Sequence, residues 1–450
     1  MSRPSRKLII GLIASMTAVS LAACSTDDVA SSGSAQSAVS ASVTATAAEG
    51  SIFDASQSHE VSLSIDQDAL YELLQSYQND DEKTYVKANI TIDGVTYNDV
   101  GVRLKGNSTL RSLGGTNQMP GGGAAPADMP QPGGANGQGG QGGGGMSGSG
   151  IDENDPTTWP LLINFDKYVD GQTYNGMTQI ALRYGVPSVN EAAALTATAM
   201  TGQASQQFGY VTYSVNGGDT LTRIMLVNPD ENYAANLGDG ILYKSDSESS
   251  FTYQGDDAST YEDQFKQVSD GDTNEQPIID LLKWLDSADD EEFDNNLDTY
   301  VDVDSFAKYL ATQNLLVNQD DMAGPGKNYY LWYDNETKKI SIISWDLDMS
   351  MQGNAELGVD DTASMGGGGG RGGNELKERF LASDKFKAIY EDAYWDLYDQ
   401  IYGSDALSQA VDALNIPATD GLSQDEIDQA KQKVQDFITQ RKDYLATQKA

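Results

Sequence analysis

The groups in this chain best suited to chemistry are acids and an asparagine gathered between residues 314 and 353. Asp320 and Asp321 follow an apolar, helix-patterned stretch that runs to Val317. Acids just past a helix C-terminus oppose its dipole, so the placement is unfavourable unless something cationic compensates. Asn328 comes next. Two apolar strands, Tyr329 to Tyr333 and Ile340 onward, are joined by the polar turn 334–337. Read as one strand from Ile340 to Asp348, the second ends in Asp346 and Asp348, carboxylates on one face about 6–7 Å apart at a two-residue period. Carboxylates on an apolar strand are costly without a partner. Mg²⁺ is the natural one for oxygen ligands. A hairpin with solvated acids at both ends is the plainer alternative, and the apolar setting favours the site.

The elements that must position these groups follow from periodicity. Glu60 to Ile65 alternates as a strand, and 66–77 has helical spacing with Leu70, Leu73 and Leu74 inward. Strands are predicted over 85–92 and 95–104, turning at Asp93-Gly94, a dipeptide suited to a tight hairpin. Further strands are predicted at 161–165, 178–182, 209–215, 221–227 and 240–244. A helix is predicted over 188–203 with Ser188 as its cap. Beyond 275 the pattern is helical, at 278–285, 303–317, 374–402 and 424–448. Strands first and helices second describe a segregated α+β plan.

Composition narrows the function. The chain has 450 residues, 28 Lys and Arg against 67 Asp and Glu, and a net charge of -39. Such a body repels nucleic acid, which is excluded as primary partner, and a nucleotide needs a local cationic patch or a bridging metal. The single histidine, His59, rules out a multi-histidine metal centre. The single cysteine, Cys24, rules out an internal disulfide. No segment matches an EF-hand loop, so a calcium-binding reading of the acidity ranks last.

Arg3, Arg6 and Lys7, then an apolar run closing in Leu21-Ala22-Ala23-Cys24, have the layout of a secretory signal. Its end resembles a bacterial lipobox, which implies acylation of Cys24 and anchoring on the outer face of a cell membrane. The expected organisation is a signal at 1–23, a lipid-anchored linker at 24–55 and a folded body at 56–450. The body divides into a strand-rich part at 56–255 and a helix-rich part at 275–450. Gly-rich tracts at 114–155 and 362–374 are expected as a disordered insertion and a mobile loop, since neither can build a core.

The order of loop acid, asparagine, hairpin and second acid is that of a protein kinase's base and metal ligands. The sequence resembles the spore-coat-protein-H (CotH) kinase family from about residue 59 onward. The resemblance is carried by Val100 to Ser108, Asn164 to Gln172, Gly240 to Lys244, Asn328 to Leu331 and Trp345 to Asp348. It implies a two-lobed, atypical protein-kinase-like fold and Mg²⁺- or Mn²⁺-dependent transfer of phosphate from ATP to a protein Ser or Thr hydroxyl. Asp320 would be the catalytic acid. Asn328 would sit by metal and phosphates. Asp346 and Asp348 would hold the metal. Arg103, Lys105 and Lys244 would neutralise phosphate charge.

Three positions depart from the family pattern. Leu162 stands where relatives carry a cation, Asn190-Glu191 replaces an Arg-Glu pair, and Asn228 replaces a glutamate. The departures keep a second function open, that of an inactive kinase-like surface module.

Overall fold

The computed structural model describes residues 50–106, 108–114, 150–185, 187–363 and 373–449. Cys24, the signal, most of the linker and most of both Gly-rich tracts lie outside the described residues.

The first strands, β1 (His59–Ile65), β2 (Val86–Ile92) and β3 (Val95–Leu104), flank helix α1 (Gln67–Asp80). Asp93 and Gly94 both take positive φ at the β2–β3 turn, as the dipeptide predicts. Asp93 also receives His59 Nδ1 at 2.7 Å and Glu60 N at 2.9 Å. The lone histidine is thus part of the hairpin's fastening. Beyond the first Gly-rich tract come β4 (Leu161–Asn164), β5 (Gln179–Leu182), α2 (Val189–Met200), β6 (Phe208–Val215) and β7 (Leu221–Val227).

Seven strands close into a barrel in the order β1-β2-β3-β4-β5-β7-β6, and the parallel pairing of β1 with β6 shuts it. The reason is the two-residue alternation along each strand. Val61 and Leu63, Val100 and Val102, Leu161 and Ile163, Ile180 and Leu182, and Met225 and Val227 turn inward and form one buried cluster. The opposite faces of β6 and β7, with Tyr210, Ile224 and Leu226, pack on α2 in a second cluster.

The chain continues through α3 (Glu231–Leu237), β8 (Gly240–Ser245), β9 (Phe265–Gln267), α4 (Gln276–Ser287), α5 (Asp290–Tyr300) and α6 (Val303–Leu315). The hairpin β10 (Tyr329–Asp334) and β11 (Ile340–Ser344) follows, then α7 (Glu375–Ala382), α8 (Asp384–Tyr402), α9 (Ala406–Ala413) and α10 (Gln424–Ala446). A second sheet has the order β11-β10-β8-β9, so β8 is bonded to a hairpin almost a hundred residues on. Helices α4 to α10 bury their apolar faces with α2 and the outer barrel face in the larger cluster, while α1 and α3 pack into the barrel's own. The strand-rich and helix-rich segregation is observed.

Three expectations are corrected. The strand from Ile340 stops at Ser344. Asp346 is left-handed, with φ 55° and ψ 64°, and Leu347–Met349 form a 3-10 turn. Asp346 and Asp348 therefore do not share a strand face. Ser188 precedes α2 but has φ 46° and makes no capping bond; its hydroxyl donates back to Gly185 O at 3.3 Å. The single helix expected over 374–402 breaks at Ser383, whose hydroxyl accepts from Phe386 N and starts α8 afresh. Among the described residues no helix is long and apolar enough to cross a membrane.

Candidate active site

The loop after α6 is held from below. Arg441, fully buried on α10, donates to Asn314 O at 2.9 Å and Leu315 O at 3.2 Å. It thus supplies the cation that the helix C-terminus calls for. Asp321 is taken up by an ion pair with Lys377. Asp320 is turned the other way. Its Oδ1 accepts from Gly326 N at 2.7 Å and its Oδ2 from Asn328 Nδ2 at 3.0 Å. The loop wraps so closely that a Cβ on Gly324 would stand 2.3 Å from Asp320 Oδ1, and one on Gly326 2.4 Å from Oδ2.

The second half of the site comes from α2 and the turn after β11. Asn190 Nδ2 donates to Asp348 O at 2.6 Å and to Ser350 O at 3.1 Å, fastening that turn to the helix. Arg183 follows β5 directly. Its Nη2 donates to Glu191 Oε1 at 2.7 Å and to Asp346 Oδ1, and lies 3.6 Å from Asp348 Oδ2. Its own carbonyl accepts from Nε of Arg223 at 2.8 Å, which fixes the backbone there.

A cationic wall faces these acids. Lys105 Nζ lies 5.0 Å and Lys244 Nζ 5.6 Å from the centre of the Trp345 ring. Arg103 sits on the outer face of β3, as period two predicts, with its guanidinium over Tyr85 and Nη1 donating to Leu104 O at 3.0 Å. Lys83 joins them electrostatically, feeling the charges of Arg103 and Lys244.

Protonation follows this crowding. Burial, then the charges of Lys244 and Arg183, hold Lys105 well below the ordinary lysine value. Burial lowers Lys244 too, with Asp346 opposing. Burial, Arg103 and Lys244 bring Lys83 down to about 8. Among the acids, burial works against ionising Asp346, but the charge and hydrogen bond of Arg183 outweigh it and leave the carboxyl lowered. Burial and the charge of Asp346 push Asp348 well up. Burial also raises Asp320, against the N–H of Gly326. Such opposed shifts within one cluster suit acid–base and anion-binding work.

Of the residues expected from sequence, Asp320 and Asn328 are brought into direct contact. Asp346 and Asp348 meet through Arg183, and Lys105 and Lys244 meet over Trp345. Arg103 stands at the edge. Two of the departures have structural explanations. Leu162 is buried on the outer face of β4 opposite Ala181, and Arg183, two residues beyond Ala181, brings a cation to the neighbouring strand. Asn190 is the clamp just described. Asn228, just past β7, donates from Nδ2 to Gln179 Oε1 at 3.0 Å and so ties the end of that strand to β5. Sequence reasoning missed Arg183 and Arg223. The signal for the first was a charge closing the apolar strand 178–182, eight residues ahead of Glu191.

The carboxylates around Arg183, those of Glu191, Asp346 and Asp348, offer oxygen ligands, which suit a hard cation such as Mg²⁺. Yet among the described residues no three His, Cys, Asp or Glu side chains stand together as a ready metal site. The acids ring a guanidinium instead. Their chemistry fits the metal, provided that Arg183 yields.

Among curated proteins, none matches this chain. Residues 158–445, well over half of the chain, match the CotH kinase protein family. The matched span contains Arg183, Glu191, Lys244, Asp320, Asn328, Asp346 and Asp348, and begins after Arg103 and Lys105. On that match, the chain belongs to the CotH kinase protein family.

Proposed function

We propose that this chain transfers the terminal phosphate of ATP, with Mg²⁺ or Mn²⁺, to a protein Ser or Thr hydroxyl, from a lipid anchor at Cys24 on the outer face of the membrane. The observation that carries the reading is the meeting of the Asp320–Asn328 pair, the Arg183–Glu191 pair and the Lys105–Lys244 wall on a chain of net charge -39. Cations so crowded repel one another, and an anion relieves them.

The roles follow from the contacts. Lys105 and Lys244 take phosphate oxygens, Arg103 and Lys83 adding charge at the edge. Arg183, steadied by Glu191 and Arg223, orients a phosphate group from the other side. Asp320, pinned by Gly326 and Asn328, aligns the acceptor hydroxyl and accepts its proton as the oxygen bonds to phosphorus and ADP departs. Bound metal supplies charge neutralisation at the phosphates, and Asp346, Asp348 and Asn328 are its proposed ligands.

The kinase-like surface module without transfer is the second reading, favoured by Arg183 already sitting on Asp346 and Asp348. Incubation of the full chain with labelled ATP and Mg²⁺ or Mn²⁺ separates the two. Transfer is expected, and Asp320→Ala is expected to lower it at least a hundredfold while nucleotide binding persists. Silence of the wild type with both metals would decide for the module.

A further inference from the structure

Arg183 sits on Asp346 and Asp348, the two carboxylates proposed above as metal ligands. One terminal nitrogen serves Glu191 and Asp346 and lies 3.6 Å from Asp348, three carboxylates that reach it from α2 and from the turn after β11. Its Nε holds the second oxygen of Glu191 at 3.2 Å. A guanidinium has only donors and offers a metal nothing. Metal and guanidinium therefore compete for the oxygens of Asp346 and Asp348.

The surroundings say how that competition can be decided. The Arg183 backbone is tied down by Arg223, so only its side chain is free to shift. Lys105 and Lys244 stand close by, their Nζ atoms 5.0 and 5.6 Å from the centre of the ring of Trp345, the residue before Asp346. Phosphate oxygens brought among these cations would give Arg183 a bidentate alternative to carboxylate. Glu191 keeps its hold through Nε while Nη2 changes partner.

We propose that Arg183 is an exchangeable counter-cation that makes metal binding conditional on nucleotide. In the free protein it occupies Asp346 and Asp348 and keeps divalent metal out. Nucleotide phosphate draws it away, and metal and nucleotide enter as one complex. This inference rests on the phosphotransferase reading of the same site. By linkage, nucleotide must tighten metal by the factor by which metal tightens nucleotide.

Mn²⁺ binding to the full chain, followed by electron paramagnetic resonance with and without a non-hydrolysable ATP analogue, tests it. The wild type is expected to bind Mn²⁺ at least tenfold more tightly with the analogue. Arg183→Gln is expected to bind Mn²⁺ alone at least tenfold more tightly than wild type and to lose most of the coupling. That variant strands Glu191 without its cation and weakens the fold, so Arg183→Lys is run beside it. A lysine keeps the charge but lacks the fork, and an intermediate gain in metal affinity is expected. Thermal melting gives a readout independent of nucleotide, with Mn²⁺ alone expected to raise the Tm of Arg183→Lys and not of wild type. Equal Mn²⁺ affinity of the wild type with and without analogue would overturn the coupling and leave the phosphotransferase reading standing. So would folded variants that bind Mn²⁺ alone no better than wild type. Absence of Mn²⁺ binding to the wild type in both conditions would overturn the two together.

Discussion

Asp348 is a residue that the free protein holds at a cost. Its folded carboxyl titrates well above the ordinary value because it is buried beside Asp346. A raised carboxyl binds its proton more firmly folded than unfolded, so the stability it contributes is present at acid pH and lost as pH climbs through the folded value. Asp348→Asn is therefore expected to raise the Tm at neutral pH, with the gain vanishing below about pH 4, where both states are protonated. Melting curves at several pH values check this, and an unchanged neutral Tm would sink it. Lys83 gives the opposite handle. Its ammonium is brought down to about 8, so it is charged at neutral pH and neutral above pH 9. Nucleotide affinity is expected to fall as pH rises from 7 to 9, and Lys83→Met to flatten that fall. Titration calorimetry at both pH values reads the difference.

At the scale of elements, the loop from Asp320 to Asn328 is a cradle built by two glycines. A methyl group on Gly326 would stand 2.4 Å from Asp320 Oδ2 and 2.8 Å from Asn328 Nδ2, both ends of side chains that can move aside. Gly326→Ala is thus expected to leave the melting temperature within a few degrees of wild type while kcat falls at least tenfold and KM for ATP changes little. Equal losses in both parameters would mean that the loop binds nucleotide instead of aligning the acceptor. This loop was legible in sequence because Asp320 and Asn328 bracket glycines after a strongly periodic helix. The barrel strands were legible because their alternation is local. The end of β11 was not. Trp345 to Asp348 continues an alternating pattern, and the turn there is held by Asn190 and Arg183, more than 150 residues away, which no local pattern reports. Helix α5 carried a capping signal in Asp289 and Glu292, hidden among the many acids of its neighbourhood. A cation near the end of α6 is called for on dipole grounds, but that Arg441 of α10 supplies it is a fact of tertiary packing alone.

For the whole molecule, the proposed anchor is a matter of location. Cys24→Ala is expected to move the protein from the membrane fraction to the soluble one or to block its processing, read by fractionation and immunoblot. Unaltered partition and processing would remove the anchor from the proposal. Whatever lies ahead of Gly50, the chain enters the fold by a fastened route. Ile52 is fully buried; its amide donates to the Tyr174 hydroxyl at 2.9 Å, and its carbonyl lies against Gly209, where a Cβ would come within 1.6 Å. Asn415 N then donates to Ala55 O at 2.9 Å and Asn415 Nδ2 to Ser58 Oγ at 3.0 Å. β1 follows, laddered to β2 on one side and to β6 on the other. A pull on the chain ahead of Gly50 is therefore shared at once between the barrel and the segment after α9. It then loads both ladders of β1 lengthwise, so that their hydrogen bonds resist together instead of opening one at a time. The entry point is a mechanical strain relief, and tension from that side spends itself on the barrel's closing strand before it reaches Asp320.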